Sequence, residues 1–393
     1  MDIFEKCSKF TAAKEAIAGG YYPYFIPLTE NEGSEVVLRG RRLIMCGSNN
    51  YLGLTTHPKV RQAALDAIQR YGTSCTGSRF LNGTLEMHEQ LEGELAEWVG
   101  KEAALVFSTG MQTNLGTISA LVGREDVVIL DKEDHASIVD GAKLSWGETR
   151  RFRHNDMADL ERVLSGIPAE KGKLVVVDGL FSMEGDIAPL PEMIPLCKKY
   201  GARLMVDDAH AMGVLGGGHG TAAHFNLTDG VDLIMSTFSK SFASLGGFIA
   251  GDEEIVHYIK HHARALIFSA SIPPANAAAA LAALQVMREE PERIQRVNEI
   301  GAHMRREYRR LGFDIGQSET PVIPILIGDD MRTLLIWKAL FEAGVFVNPV
   351  LAPAVPEGRQ LLRTSYMAIH TDEQLARVVE TFEKVGRQMG LIS

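Results

Sequence analysis

The chain lacks the features that mark several common classes of protein. Its 393 residues include only four cysteines, and none of them forms a Cys-x-x-Cys pair, which argues against a zinc ribbon and a disulfide framework. Basic runs are short and the formal net charge is −10, which argues against nucleic-acid binding. The most apolar stretch, Ala275–Val286, is shorter than the ~20 residues that a membrane helix needs. The N-terminus does not resemble a signal peptide, so we expect free thiols and a cytoplasmic location.

Motifs of nucleotide-binding proteins and hydrolases are also lacking. The glycine-rich stretch 216–220 has neither the Lys-Ser/Thr of a P-loop nor the spacing of a dinucleotide fingerprint. No serine lies in a Gly-x-Ser-x-Gly context, and no cysteine lies in a recognisable nucleophile motif. These absences argue against a P-loop enzyme, a dehydrogenase and a serine hydrolase.

Short apolar runs, most of them separated by helical patterns, occupy the middle of the chain. The predicted strands are Ala104–Phe107, Val127–Leu130, Leu174–Asp178, Arg203–Asp207, Asp232–Ser236 and Gly247–Ala250. This alternation predicts an α/β fold with a mostly parallel, doubly wound sheet. After a long helical region at 274–311, the pattern becomes that of a smaller α+β domain. We therefore predict an N-terminal segment at 1–55, a large cofactor-binding domain at 56–290 and a small C-terminal domain at 291–393.

Polar residues follow two of the predicted strands. Asp207 and His210 end one run, and Thr237 and Lys240 end another. Ligands of open α/β sheets bind at the carboxyl ends of the strands, so these side chains should converge. A lysine facing a carboxylate one strand over suits pyridoxal phosphate (PLP), because the lysine forms a Schiff base and the acid keeps the pyridine nitrogen protonated.

Each of these residues also has a simpler explanation. Most lysines are solvated surface residues, although the serines and glycines around Lys240 favour close approach of the backbone to a ligand. Asp207-Asp208-Ala209-His210 alone would also suit a metal, but no second cluster at ligand spacing supports one, and we expect none.

Three further candidate binding sites are marked by the sequence: two follow other predicted strands, and the third lies within a predicted strand. His135 would stack on an aromatic cofactor. Gly110 and Met111 open a helix whose N-terminus suits a phosphate, although an ordinary helix cap would explain the same sequence. Arg363 lies in an apolar C-terminal run and would pair with a substrate carboxylate.

From about residue 35 to the C-terminus, the sequence resembles the α-oxoamine synthases, which are fold-type I PLP enzymes. The motifs that carry the resemblance are GSNNYLGLTTHP, TGSRFLNGT, FSTGMQTN, DHASIVDG, DGLFSMEGDIAPL, VDDAHAMGVLG, TFSKSFASLGG and LLRTS. Members of this family condense an amino acid with an acyl thioester and release CO2. The resemblance implies a PLP-dependent acyltransferase with a large and a small domain.

The resemblance also implies roles for residues around the cofactor ring. Lys240 would form the Schiff base, Asp207 would bind the pyridine nitrogen and His210 the phenolic oxygen. His135 would stack on the ring and help to hold the substrate carboxylate. Ser182 would lie near the ring.

Further implied roles concern the phosphate and the interface between subunits. The backbone at Gly110 and Met111, together with Thr237, would hold the phosphate. By resemblance, the active site lies at the interface of a homodimer, where Ser269 or Ser271 would reach the partner's phosphate.

The remaining implied roles concern the substrates. Asn49 would line the pocket and Arg363 would bind the amino-acid carboxylate. The segment 348–353 lacks the second arginine that some relatives carry, so carboxylate binding would depend more heavily on Arg363. The aromatic segment 21–25 suits an uncharged acyl chain.

The context TFSKSFASLGG is most similar to the bacterial serine palmitoyltransferase branch of the family. This similarity implies condensation of L-serine with a long-chain acyl-CoA or carrier thioester to give a 3-oxo-sphinganine, with peripheral membrane contact where the product partitions. The alternatives within the family are 8-amino-7-oxononanoate synthase, which uses alanine and a pimeloyl thioester, and glycine C-acetyltransferase. A non-catalytic partner subunit is a more distant alternative, which the presence of Lys240 disfavours.

Overall fold

The computed structural model describes residues 2–31 and 33–393. The strands are β1 Leu28–Asn31, β2 Glu35–Leu38, β3 Arg41–Met45, β4 Ala103–Phe107, β5 Val127–Asp131, β6 Glu148–Phe152, β7 Lys173–Asp178, β8 Arg203–Asp207, β9 Leu233–Thr237, β10 Gly247–Gly251, β11 Val322–Leu326, β12 Val345–Phe346, β13 Asn348–Val350 and β14 Leu361–Ser365. The α-helices are α1 Glu5–Lys9, α2 Ala12–Ala18, α3 Pro58–Tyr71, α4 Glu86–Val99, α5 Gly110–Leu121, α6 Ala136–Leu144, α7 Met157–Ser165, α8 Leu190–Lys199, α9 Thr221–His224, α10 Glu253–His262, α11 Arg264–Ile267, α12 Pro274–Glu289, α13 Glu292–Leu311, α14 Asp330–Glu342 and α15 Asp372–Gln388.

The chain forms two compact units, one made of Asn49–Glu299 and the other of the residues through Ser48 together with Ile300–Ser393. The N-terminal residues belong to the second unit because β3 pairs in parallel with β12. The separate segments 1–55, 56–290 and 291–393 stay a prediction.

The unit Asn49–Glu299 contains one mixed sheet in the order β4-β10-β9-β8-β7-β5-β6. Its pairs are parallel from β6 to β9, whereas β10 is antiparallel to both β9 and β4. Strands β5 and β7 are buried along their whole length, as near-continuous apolar runs of a parallel sheet should be. The predicted mostly parallel α/β sheet is confirmed. Strand β6, ETRRF, was not predicted because it is a largely exposed edge strand with charged residues.

Several strands of this sheet end in polar residues at the same edge. Asp131, Asp178, Asp207 and Thr237 are the last residues of β5, β7, β8 and β9. Asp178 and Asp207 are direct partners in the parallel register. The loop 238–246 then joins β9 to β10 as a hairpin, with Thr237 opposite Gly247. This edge therefore collects carboxylates, a hydroxyl and the loop that contains Lys240.

The other unit contains two small sheets, in the orders β1-β2-β3-β12 and β11-β14-β13. Its core includes large aromatic side chains, among them Tyr308, Tyr366, Trp337 and Phe382. The Tyr308 and Tyr366 hydroxyl oxygens are 2.5 Å apart, so each polar tip has a partner inside the core. Helices α14 and α15 contribute to this core and confirm the α+β character predicted for the C-terminal region.

Candidate active site

A cavity of about 290 Å³ lies at the polar edge of the mixed sheet. Its lining includes Thr109, Gly110, Met111, His135, Ser137, Asp178, Asp207, His210, Thr237, Ser239 and Lys240. Seven of the residues predicted from the sequence therefore lie around one space: Gly110, Met111, His135, Asp207, His210, Thr237 and Lys240. Their individual roles stay predictions.

Asp207 is held in one orientation at the end of β8. Its Oδ1 accepts the backbone N–H of Ala209 at 2.9 Å, and its Oδ2 accepts from Asn114 Nδ2 at 2.7 Å. Asn114 is fully buried on α5 and also donates to Ser137 Oγ at 2.8 Å. A carboxylate that accepts two such bonds can face a cationic ring nitrogen without rotating away.

The adjacent acid, Asp208, has a different environment. It is fully buried, and its Oδ2 accepts the backbone N–H of Thr221 at 3.0 Å. Burial raises the pKa of Asp208 to about 7. Of the two adjacent acids, Asp207 lines the cavity and Asp208 supports the loop that follows.

His210 is positioned by a buried tyrosine. The Tyr51 hydroxyl lies 2.7 Å from His210 Nδ1, and both side chains are almost fully buried. This bond fixes the orientation of the imidazole, and His210 also lines the cavity.

His135 caps the N-terminus of α6 and faces the cavity. Its Nδ1 lies 2.7 Å from Ser137 Oγ and accepts the Ser137 backbone N–H at 3.2 Å. Its own backbone N–H donates to Asp178 Oδ2 at 2.7 Å. The side chain is exposed to the cavity, but the surrounding protein partly desolvates the ring and lowers the pKa of His135. The negative charge of Asp207 opposes this shift, and the positive charge of Lys240 adds to it. A neutral ring is suited to stacking on a flat cofactor.

Asp178 is a buried acid that the sequence did not single out. It is 3% exposed and lines the cavity one strand away from Asp207. Burial first, and the charge of Asp207 second, raise the pKa of Asp178 well above its usual range. The backbone N–H of His135 is a donor to this carboxyl, which therefore fixes the start of α6.

The start of α5 forms the opposite side of the cavity. Thr109 caps the helix by accepting the Gln112 backbone N–H at 3.1 Å. A Cβ added to Gly110 would lie 2.8 Å from Thr237 Oγ1, so only glycine allows this close approach. The first N–H groups of a helix have no partner within it, and they attract anions. A phosphate fits this end of the cavity.

Lys240 lies on the hairpin loop between β9 and β10. The loop is packed by Phe238, whose ring is 5.2 Å from that of Phe242 and 5.9 Å from that of Phe248. The Ala243 backbone N–H donates to the Lys240 carbonyl at 2.9 Å. These contacts fix the backbone beneath the lysine while its side chain reaches the cavity. An amine, a carboxylate and an anion site together fit the aldehyde, ring nitrogen and phosphate of PLP.

The other predicted site residues do not line this cavity. Ser269 Oγ accepts from Gln112 Nε2 at 2.8 Å, and Ser271 is buried with its backbone N–H bonded to the Gly77 carbonyl at 2.9 Å. Ser182 lies in the turn after β7, and Asn49 precedes Tyr51 at the start of its unit. Arg363 is buried on β14 in the other unit. The roles predicted for these five residues remain untested.

Sequence reasoning missed Asn114, Ser137, Tyr51 and Asp178. Asn114 lies one helical turn after Gly110, so its spacing from the predicted phosphate site was an available signal. Asp178 ends a predicted strand, as Asp207 does. Tyr51 lies within the motif GSNNYLGLTTHP, but its contact with His210 could not be predicted because the two residues are 159 positions apart.

Metal-binding clusters and membrane-spanning helices are both lacking in the part of the chain that the structure describes. Within 2–31 and 33–393, no group of three or more His, Cys, Asp or Glu side chains is arranged to hold a metal ion. In the same ranges, the helices all fall short of the length and apolar character needed to cross a bilayer.

Comparisons with known proteins place the chain in a family. Residues 41–382 match the sequence model of aminotransferase class I and II. The chain belongs to this family. It is 50% identical over 387 residues to serine palmitoyltransferase of Sphingobacterium spiritivorum, covering 98% of this chain and 97% of the relative. It is 40% identical over 381 residues to 8-amino-7-oxononanoate synthase of Thermoanaerobacter pseudethanolicus, covering 96% of each.

Solved structures agree with these relatives. The structure of Sphingomonas wittichii serine palmitoyltransferase superposes with a TM-score of 0.97 at 38% identity, and each chain is covered completely. A serine palmitoyltransferase structure with a PLP internal aldimine has the same TM-score and coverage at 36% identity. The predicted α-oxoamine synthase family, fold-type I architecture and PLP dependence are confirmed.

Proposed function

We propose that this chain condenses L-serine with a long-chain acyl thioester, with loss of CO2, to give a 3-oxo-sphinganine. The observation that carries the proposal is the full-length similarity to proteins named serine palmitoyltransferase, combined with a cavity that contains Lys240, Asp207 and His135. The predicted PLP-dependent acyltransferase activity agrees with these relatives. The 8-amino-7-oxononanoate synthases are more distant, which favours serine over alanine.

The reaction joins two carbons and releases two groups. The serine α-carbon loses its proton and bonds to the acyl carbon, and the carboxylate leaves as CO2. The thioester C–S bond breaks to release a thiolate, which takes a proton from the solvent. PLP supplies an electron sink for the electron pair left on the α-carbon. Lys240 Nζ accepts the α-proton and returns a proton after CO2 has left. Asp207, fixed by Asn114, keeps the ring nitrogen protonated.

The amino-acid substrate is held by two residues in this proposal. His135 stacks on the cofactor ring and contacts the substrate carboxylate, which its position in the cavity supports. Arg363 binds the same carboxylate, a role supported by the resemblance of its motif LLRTS to that of the α-oxoamine synthases. Asn49 and Ser182 contribute to the pocket wall around the substrate and the ring.

The phosphate is bound by Gly110, Met111 and Thr237. We assign the phenolic oxygen to His210, whose Nδ1 is occupied by Tyr51. We further propose a homodimer with a shared active site, in which Ser269 or Ser271 reaches the partner's phosphate. Sedimentation velocity of the holoenzyme would show a dimer of 43.0 kDa chains.

The acyl substrate and product favour contact with a membrane surface from a cytoplasmic location. The N-terminal helices α1 and α2 bury none of their residues, and Ile3, Phe4, Phe10 and Ile17 are each at least 60% exposed. Exposed apolar residues beside lysines are suited to peripheral binding at a lipid surface. Co-sedimentation with anionic vesicles, compared for the wild type and a Phe4→Ser/Phe10→Ser variant, tests this part of the proposal.

The amino-acid specificity is tested by cofactor absorbance. The purified holoenzyme is titrated with L-serine, L-alanine and glycine, and products with palmitoyl-CoA are identified by mass spectrometry. We expect serine to change the visible spectrum at the lowest concentration and to give a 3-oxo-sphinganine. Lys240→Ala is the control, because it should bind the amino acid but release no product. A spectral response to alanine or glycine without one to serine would contradict the substrate assignment.

A further inference from the structure

His154 does not line the active-site cavity, yet both nitrogens of its ring face carboxylates. Nδ1 lies 3.0 Å from Asp131 Oδ1, and Nε2 lies 2.8 Å from Asp186 Oδ2. The ring also packs edge-on against buried Phe181, with centroids 4.5 Å apart. A neutral imidazole has one N–H, so one of its nitrogens would then direct a lone pair at a carboxylate. The geometry therefore favours a doubly protonated imidazolium that bonds to both acids.

The surroundings of His154 are acidic. The charged groups around it are Asp131, Asp186 and Glu184, and Glu133 lies near Glu184. The basic residue next to it, Arg153, pairs with Asp156 and Asp159 instead. Burial alone would lower the pKa of His154, but the bonds to Asp131 and Asp186 outweigh burial and raise this pKa to about 10. His154 thus supplies positive charge to a cluster of acids.

A series of hydrogen bonds leads from this cluster to the cavity. The Asp131 backbone N–H donates to Asp134 Oδ2 at 2.8 Å, and the Asp178 backbone N–H donates to Asp134 Oδ1 at 3.0 Å. Asp178 Oδ2 in turn accepts the backbone N–H of His135 at 2.7 Å. The strand ends of β5 and β7 and the start of α6 are therefore fixed to one another by carboxylates.

We propose that His154 is a positioning residue of the active site: its imidazolium holds Asp131 and Asp186, and through Asp131, Asp134 and Asp178 it fixes the backbone at His135. The inference rests on the role proposed for His135 at the amino-acid substrate. It adds a residue that touches neither cofactor nor substrate. The same imidazolium holds the loop after β7, which contains Ser182 and Asp186.

The protonation state is tested first, independently of turnover. Imidazole nitrogens of the ¹⁵N-histidine-labelled holoenzyme are followed by NMR, and the His154 signals among the twelve histidines are assigned by their loss in His154→Gln. We expect both nitrogens of His154 to stay protonated from pH 6 to pH 9. A His154 that titrates near its ordinary pKa of ~6.5 would overturn the inference.

The positioning role is tested by separating kinetic constants. His154→Gln should raise the KM for serine about tenfold, since a misplaced contact group weakens substrate orientation, while the KM for palmitoyl-CoA changes less than twofold. The loss of one positive charge should also move the acidic limb of the pH–kcat profile to higher pH. His154→Lys keeps the charge and should restore that limb. His261→Gln is the matched control, because His261 is exposed and its Nδ1 bonds only to a carbonyl of its own helix.

A second variant covers the case in which His154→Gln does not fold. Asp186→Asn leaves the contact between His154 and Asp131 but removes the second acid that holds the imidazolium in place, so it should lower the His154 titration midpoint and raise the KM for serine by less than His154→Gln does. The His135 ring signals, assigned with His135→Asn, should shift in either variant whichever amino acid proves to be the substrate. If the His135 signals and the amino-acid KM keep their wild-type values in the folded variant, the inference is overturned. If serine is not a substrate but another amino acid is, only the proposed substrate is overturned.

Discussion

The contact between Asn114 and Asp207 gives the sharpest prediction for the cofactor site. Asn114 Nδ2 is 2.7 Å from Asp207 Oδ2, and both side chains are buried. A hydrogen bond to a charged group contributes about 1.5–3 kcal/mol, so Asn114→Ala should weaken any state that depends on the oriented carboxylate by roughly ten- to hundredfold. We expect the Kd for PLP to rise and the kcat to fall together, because Asp207 contacts the PLP ring nitrogen both when the cofactor binds and during turnover.

The assay is PLP titration of the cofactor-free protein, followed by turnover at saturating PLP. Ser119→Ala is the matched control, since Ser119 lies on the same helix and its hydroxyl bonds only to the carbonyl of Leu115. Thermal unfolding of both variants checks that the fold is intact. If Asn114→Ala bound PLP and turned over like Ser119→Ala, the result would show that Asp207 does not need this bond.

Three further predictions concern the phosphate site, a buried ion pair and the dependence of stability on pH. Gly110→Ala places a Cβ 2.8 Å from Thr237 Oγ1, so the Kd for PLP should rise at least about tenfold, and an unchanged Kd would exclude the phosphate site there. Arg79→Met leaves the carboxylate of Glu92, which Arg79 binds through two nitrogens, buried without a counter-charge, and should lower the free energy of unfolding in urea by about 3–5 kcal/mol. Arg150→Met removes the more exposed pair with Glu148 and should cost under ~1 kcal/mol, so equal losses would contradict this prediction. The pKa of His154, about 10 when folded, lies above its unfolded value, so its stabilisation is present below pH ~6.5 and is lost as the pH rises through about 10. The unfolding free energies of the wild type and His154→Gln should therefore differ most near pH 6 and converge by pH 10, and a constant gap would contradict the assignment.

The sequence predicted the mixed sheet because buried parallel strands leave a clear local signal. The runs Val127–Asp131 and Lys173–Asp178 are buried along their whole length, and consecutive apolar residues precede the aspartate that ends each run. Strand β6 has no such signal, since an exposed edge strand needs few apolar residues. Its position follows only from pairing with β5.

The candidate site was predictable where its residues follow strands. Lys240 and Asp207 could be brought together by topology alone, because the carboxyl ends of parallel strands meet at one edge. The partners that orient them could not be predicted in this way. Tyr51 contacts His210 from a loop far away in the chain, and no periodicity reports such a contact.

The reversed direction of β10 has a consequence for how the chain tolerates change. The other strand pairs that are adjacent in both the chain and the sheet, β5–β6, β7–β8 and β8–β9, are joined by connections that contain helices. A longer surface loop in such a connection would leave the strand ends in place. Residues 238–246 instead span two ends that are paired to each other, Thr237 and Gly247. An inserted residue in this loop would displace the reactive amine itself. Libraries that vary loop length should therefore recover active enzymes with insertions in the parts of the crossover connections that are remote from His135 and His210, but with none in this loop.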